Sequence, residues 1–83
     1  MYNVLFSKSA ERDFFAQTTE VQGRVAGVLE RISIQPYRYV RKLSGTDVYR
    51  LRVGKFRIIL DINEESKTIE VLRIGKRDEI YLF

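Results

Sequence analysis

The spacing of apolar residues changes once along this chain, from a period near 3.6 to a period of 2, and the change falls at Asp47. Beyond it, Tyr49, Leu51 and Val53 alternate with Val48, Arg50 and Arg52, and Phe56, Ile58, Leu60 and Ile62 alternate with Arg57, Ile59 and Asp61. Such alternation describes two strands, each with one apolar face. Gly54-Lys55 between them reads as a tight hairpin turn, and Asn63-Glu64-Glu65-Ser66 as a second turn before a third strand over 67–75.

Ahead of Asp47 the pattern is helical. Residues 2–6 are β-branched and aromatic and lead into Ser7, a strong helix N-cap. This predicts a short strand, then a helix over 8–17 with Ala10, Phe14 and Phe15 turned inward. Thr19 and Gln22 have capping-box spacing, and Val21, Val25, Val28, Leu29 and Ile32 then form one stripe of a helix over 20–33. Gly23 and Gly27 weaken that helix but would let another element approach it closely. Pro36 keeps Gln35 out of the helical region, so the segment from there through Arg41 is expected to be loop. The resulting order is β-α-α-β-β-β. It is an α+β fold, an antiparallel sheet whose one apolar face must be covered by the two N-terminal helices. A chain of 83 residues, 45% apolar and 31% charged, suits one small domain over 1–83.

The composition excludes much chemistry. With no Cys and no His, the chain cannot be a disulfide scaffold, a zinc finger, a Cys-nucleophile enzyme or a Ser-His-Asp hydrolase. No apolar run exceeds four residues, at 80–83, and the start lacks a basic stretch followed by an apolar one. The expectation is a cytoplasmic protein that does not engage a membrane.

The net charge of +4 is unevenly spread. Through residue 37, Lys8, Arg12, Arg24 and Arg31 are cancelled by Glu11, Asp13, Glu20 and Glu30. Within 38–57, Arg38, Arg41, Lys42, Arg50, Arg52, Lys55 and Arg57 face Asp47 alone, a local +6. Strand alternation puts Arg50 and Arg52 on one face about 7 Å apart, and Arg57 on the next strand can project to that same face. Three guanidiniums in one place either hold an anion or are neutralised across the sheet by Asp61 and Glu70. Arg73, which interrupts the apolar run of the last strand, has the same two outlets: the basic face or a pair with Glu70.

Guanidiniums match phosphate, and an open sheet face suits single-stranded RNA better than a DNA duplex, since neither helix is basic enough to enter a major groove. RNA can be cut without His or metal when its own 2′-hydroxyl attacks the adjacent phosphate. The protein then aligns the two and stabilises the phosphate charge. Arginine does this well but transfers protons badly, because it stays protonated at ordinary pH.

Three segments resemble the RelE side of the RelE/ParE toxin superfamily: Lys42-Leu43-Ser44-Gly45, the run Tyr49 to Leu60, and Ile74-Gly75-Lys76-Arg77-Asp78-Glu79-Ile80-Tyr81. The order of elements agrees over nearly the whole chain. The resemblance implies the toxin of a type II toxin–antitoxin pair, an endoribonuclease that enters the ribosomal A site beside 16S rRNA and cuts messenger RNA with no cofactor and no metal. It implies that Arg57 stabilises the transition-state phosphate, that Arg77 lies near the scissile phosphate and leaving group, and that Tyr81 stacks on the bases. Lys42, Lys55 and Lys76 are then candidates for the RNA backbone. Arg50 and Arg52 stand where the best-known members carry two lysines, one assigned to proton transfer, so that assignment does not carry over. Arg77 and Tyr81 are also two residues closer together than in that pattern.

Simpler roles exist for these residues: Tyr81 as an end-of-sheet aromatic, and Arg77 as a surface charge paired with Asp78 or Glu79. Two other functions share the fold. One is a ParE-like inhibitor of DNA gyrase, the other a toxin-fold protein with weakened catalysis that acts mainly within an antitoxin complex. Retention of Arg57, Arg77 and Tyr81 together favours the ribonuclease. Every version implies a cognate antitoxin with an acidic or amphipathic segment that masks the basic face, and contact with operator DNA only through that complex.

Overall fold

The computed structural model describes residues 1–76. Strand β1 (Asn3–Phe6) is followed by helices α1 (Lys8–Phe15), α2 (Thr19–Ile34) and α3 (Pro36–Tyr39), then by strands β2 (Arg41–Lys42), β3 (Tyr49–Val53), β4 (Phe56–Asn63) and β5 (Thr68–Lys76). The sheet order is β1-β5-β4-β3-β2. The expected α+β architecture is found, with β3, β4 and β5 antiparallel neighbours, while β1 joins β5 in parallel at the far edge. Gly54 turns the β3–β4 hairpin at φ +60°, a conformation that suits glycine.

The loop expected from 35 through 41 is corrected. Pro36 does not open a loop. It occupies the start of α3, where its missing N–H and fixed φ are favourable, and β2 follows. At α2 the capping oxygen comes from Thr18, which accepts from the Val21 N–H at 3.3 Å, rather than from Thr19. Gln22 instead donates to the Gln17 carbonyl. Gly23 and Gly27 permit no close approach, since an added Cβ would meet nothing within 4 Å at either position.

Ala10 of α1 and Val25, Leu29 and Ile32 of α2 meet Leu51, Val53, Ile58, Leu60, Ile69, Val71 and Ile74 of the sheet to form the core. Neighbouring helical residues point about 100° apart, so Phe14 and Phe15 cannot both enter it. Phe14 packs against the core, and Phe15 is left 69% exposed. On β5 the sequence parity breaks at Leu72. Ile59 pairs with Arg73 and Leu60 with Val71, so one extra residue bulges out. The bulge returns Ile74 to the core face and turns Arg73 away from it.

Glu64, in the β4–β5 turn, ties three parts of the chain together. It accepts from Tyr37 of α3, from Lys67 at 2.9 Å, and from Tyr2 at 2.8 Å. These bonds hold the Glu64 carboxyl at about 2, down from its ordinary 4.5, and push the Tyr37 phenol upward. Because the folded-state value is the lower one, the stability Glu64 contributes is complete above about pH 4.5 and fades as pH falls toward 2. Urea midpoints of the protein and Glu64→Gln should therefore differ at neutral pH and converge near pH 2. A pH-independent difference would show that the carboxylate charge is not what holds the turn.

Candidate functional site

Register decides where the sheet arginines go. Arg52 lies directly opposite Arg57, and Arg50 opposite Ile59, so Arg50, Arg52 and Arg57 share the face turned away from the core. For Arg50 and Arg52 the neutralisation considered from sequence is not found among the described residues. Asp61 and Glu70 lie opposite each other, and Arg73 bonds to Asp13 of α1 at 2.9 Å. Among the described residues the ion pairs are Arg73–Asp13, Lys67–Glu64 and Lys42–Asp47, and none involves Arg50 or Arg52.

β2 covers β3 only at Tyr49 and Arg50. Beyond that point the outer edge of β3 has no strand beside it among the described residues, and a cleft of about 430 Å³ forms there. Arg50, Arg52, Arg57, Arg41, Arg31 and Tyr39 line it, with Val28 and Leu51 as its apolar part. Among the described residues no carboxylate lines it. Tyr39 is 42% exposed, with the Arg38 guanidinium 5.8 Å from its ring centre.

The lysines expected at the site lie apart from this cleft. Lys42 borders a shallow hollow over 42–47 and sits 3.8 Å from Asp47. Lys55 is exposed in the hairpin turn, and Lys76 is exposed at the end of β5, across from Phe56. Arg77 and Tyr81 fall outside the described residues. Arg31 and Tyr39 were not singled out from sequence, and Arg41 entered only as part of the local +6. Tyr39 and Arg41 sat in a presumed loop, and Arg31 in a segment whose charges sum to zero. Among the described residues no three His, Cys, Asp or Glu gather as metal ligands. Nor is any helix there long and apolar enough to cross a membrane.

A family model described as the ParE toxin of the type II toxin–antitoxin system parDE matches residues 4–81. The chain belongs to this family of type II toxins. The toxin also resembles solved RelE structures, in keeping with the superfamily expected from its motifs. It is similar to a chain of the archaeal RelE–RelB complex from Pyrococcus horikoshii OT3 with a TM-score of 0.81 and 26% identity, over 95% of the toxin and 98% of that chain. It is similar to a chain of the toxin–antitoxin complex RelBE2 from Mycobacterium tuberculosis with a TM-score of 0.76 and 26% identity, over 92% and 98%. The isolated E. coli RelE toxin shares the fold at a TM-score of 0.80 and 20% identity, over 92% of the toxin and 84% of that chain. No curated protein matches the toxin in sequence.

Proposed function

We propose that this toxin cuts messenger RNA in the ribosomal A site, with the RNA's own 2′-hydroxyl as nucleophile. The supporting observation is the cleft at the β3 edge, where Arg50 and Arg52 meet Arg57, Arg41 and Arg31 and no carboxylate stands among the described lining residues. Like charges held this close favour an anionic occupant. In the reaction the 2′-oxygen bonds to the adjacent phosphorus and the bond from phosphorus to the 5′-oxygen breaks. The products are a 2′,3′-cyclic phosphate and a 5′-hydroxyl. The 2′-hydroxyl proton passes to solvent, and the 5′-oxygen must receive one. Arg57, with Arg50 and Arg52, stabilises the charge that builds on the phosphate. Because guanidiniums keep their protons, the donor to the 5′-oxygen is assigned to Tyr39, whose phenol is the one group able to release a proton among the described residues that line the cleft.

Arg77 near the leaving group, Tyr81 on the bases, and Lys42, Lys55 and Lys76 along the backbone complete the reading. Similar proteins occur as RelB–RelE complexes, which supports a cognate antitoxin for this toxin. An acidic segment of that antitoxin would occupy the arginine cleft and switch the toxin off.

The match to ParE toxins favours one competing reading, binding and inhibition of DNA gyrase. Primer extension on a defined messenger RNA in purified translating ribosomes, run beside a gyrase supercoiling assay, separates the two. Cuts within the A-site codon, present only with ribosomes and weakened about 10²-fold in Arg57→Ala, are expected. Absence of cuts together with blocked supercoiling would replace the ribonuclease by a gyrase inhibitor, and absence of both effects would leave a binding protein without cleavage.

A further inference from the structure

Helix α2 carries three stripes, each at i, i+4, i+7. Val25, Leu29 and Ile32 enter the core. On one side of them Ala26, Glu30 and Ser33 line an apolar groove of about 720 Å³ beside β1, which Glu11 also borders. On the other side Arg24, Val28 and Arg31 face the opposite edge of the sheet. Within α2, Arg24 and Arg31 thus face the β3 edge and Glu30 faces the β1 edge.

Arg24, Val28 and Arg31 form a second cleft, of about 340 Å³, with Arg52, Val53 and Gly54. Val28, Arg31 and Arg52 line this cleft and the first alike, so the two run together. The Arg24 guanidinium lies against the hairpin, 3.4 Å from where a Cβ on Gly54 would sit. Among the described residues, Arg24 and Arg31 make no ion pair. Along the helix axis they stand about 10 Å apart, at about 1.5 Å per residue.

We infer that Arg24 and Arg31 form a second phosphate-binding wall, which holds the backbone of single-stranded RNA next to the reacting nucleotide. The inference rests on reading the arginine cleft as an RNA site. The joined clefts, with guanidiniums along their sides and the half-buried Val28 between Arg24 and Arg31, offer places for phosphates and an apolar contact for a base.

The test is equilibrium binding of a fluorescent twelve-residue oligouridylate, without ribosomes, over a series of salt concentrations. Each single-strand phosphate contact contributes about 0.7 to the slope of log affinity against log salt. The double variant Arg24→Ala/Arg31→Ala should lose about 1.4 from that slope, and Arg24→Lys/Arg31→Lys should restore most of it. Lys8→Ala/Arg12→Ala, on α1, should leave it unchanged, and equal melting temperatures would show that the fold is not at issue. An unchanged slope in the alanine pair overturns the inference, as does failure of the unaltered toxin to bind the oligonucleotide. An unchanged slope with lost hold on the antitoxin would assign the wall to a protein partner instead. If A-site cuts occur yet the slope does not move, the ribonuclease stands and the second wall falls. If the slope drops and no cuts occur, the wall stands and the ribonuclease falls.

Discussion

Asp13→Ala is expected to lower stability by about 2–4 kcal/mol, a fall in melting temperature of roughly 10–25 °C for a chain this small. The reason lies in how the sheet ends. β1 stops at Phe6, while β5 continues to Lys76. Helix α1 therefore stands in for the missing strand. The Ser7 hydroxyl donates to the Leu72 carbonyl at 3.0 Å while accepting from the Ala10 N–H, and the Asp13 carboxylate accepts from the Ile74 N–H at 2.9 Å and from Arg73 at 2.9 Å. Alanine would strand the amide of Ile74, a residue only 2% exposed. The Arg73 contact adds less, because that side chain is 33% exposed and solvent screens the pair. Asp13→Asn keeps an acceptor for the amide and should recover about half of the loss. Urea unfolding with an unchanged denaturant slope checks both. A loss under about 0.5 kcal/mol for the alanine variant would mean that water replaces the carboxylate at no cost.

This arrangement also shows what was legible in the sequence. Parity carried the β3–β4 hairpin and its glycine turn, because each strand buries one face and any slip would expose it. It failed at Arg73. A single bulged residue at Leu72 reverses parity, and nothing in the local composition announces it. Pro36 was ambiguous for a related reason: proline ends one helix as readily as it begins another, and only the packing of α3 under Tyr49, whose ring lies 5.8 Å from that of Tyr37, selects the second. The arginines of β3 and β4 were found because they sit two apart or directly across. Arg24 and Arg31 were missed because charge was summed along the chain, whereas the helix sorts it by angle. The signal was present, since both lie at helical spacing beside the stripe Val25, Leu29 and Ile32.

Tyr39→Phe should slow A-site cleavage by about 10²–10⁴-fold while leaving the protein folded and RNA binding nearly unchanged. The expectation follows from elimination among the described residues that line the cleft. Val28 and Leu51 carry no proton, and five guanidiniums carry protons they do not release. In the proposed reaction Arg50 and Arg52 would hold phosphate without exchanging a proton, so among the described residues protonation of the 5′-oxygen would fall to the phenol. Phenylalanine keeps the ring and removes only that proton, which separates chemistry from stacking. If Tyr39 acts as a platform for a base, Tyr39→Phe would cut normally and Tyr39→Ala would bind RNA more weakly. If it is the acid, the phenylalanine variant fails at saturating toxin, where affinity no longer limits the rate. The pH profile gives a further readout. Arg31 of α2, Arg41 of β2, Arg50 and Arg52 of β3 and Arg57 of β4 share the cleft with the phenol, Arg38 lies beside its ring, and a guanidinium stays protonated at ordinary pH. A loss of rate at alkaline pH in the unaltered toxin, absent from the residual activity of Tyr39→Phe, would therefore belong to Tyr39. The same alkaline limb persisting in the variant would move proton transfer to another group.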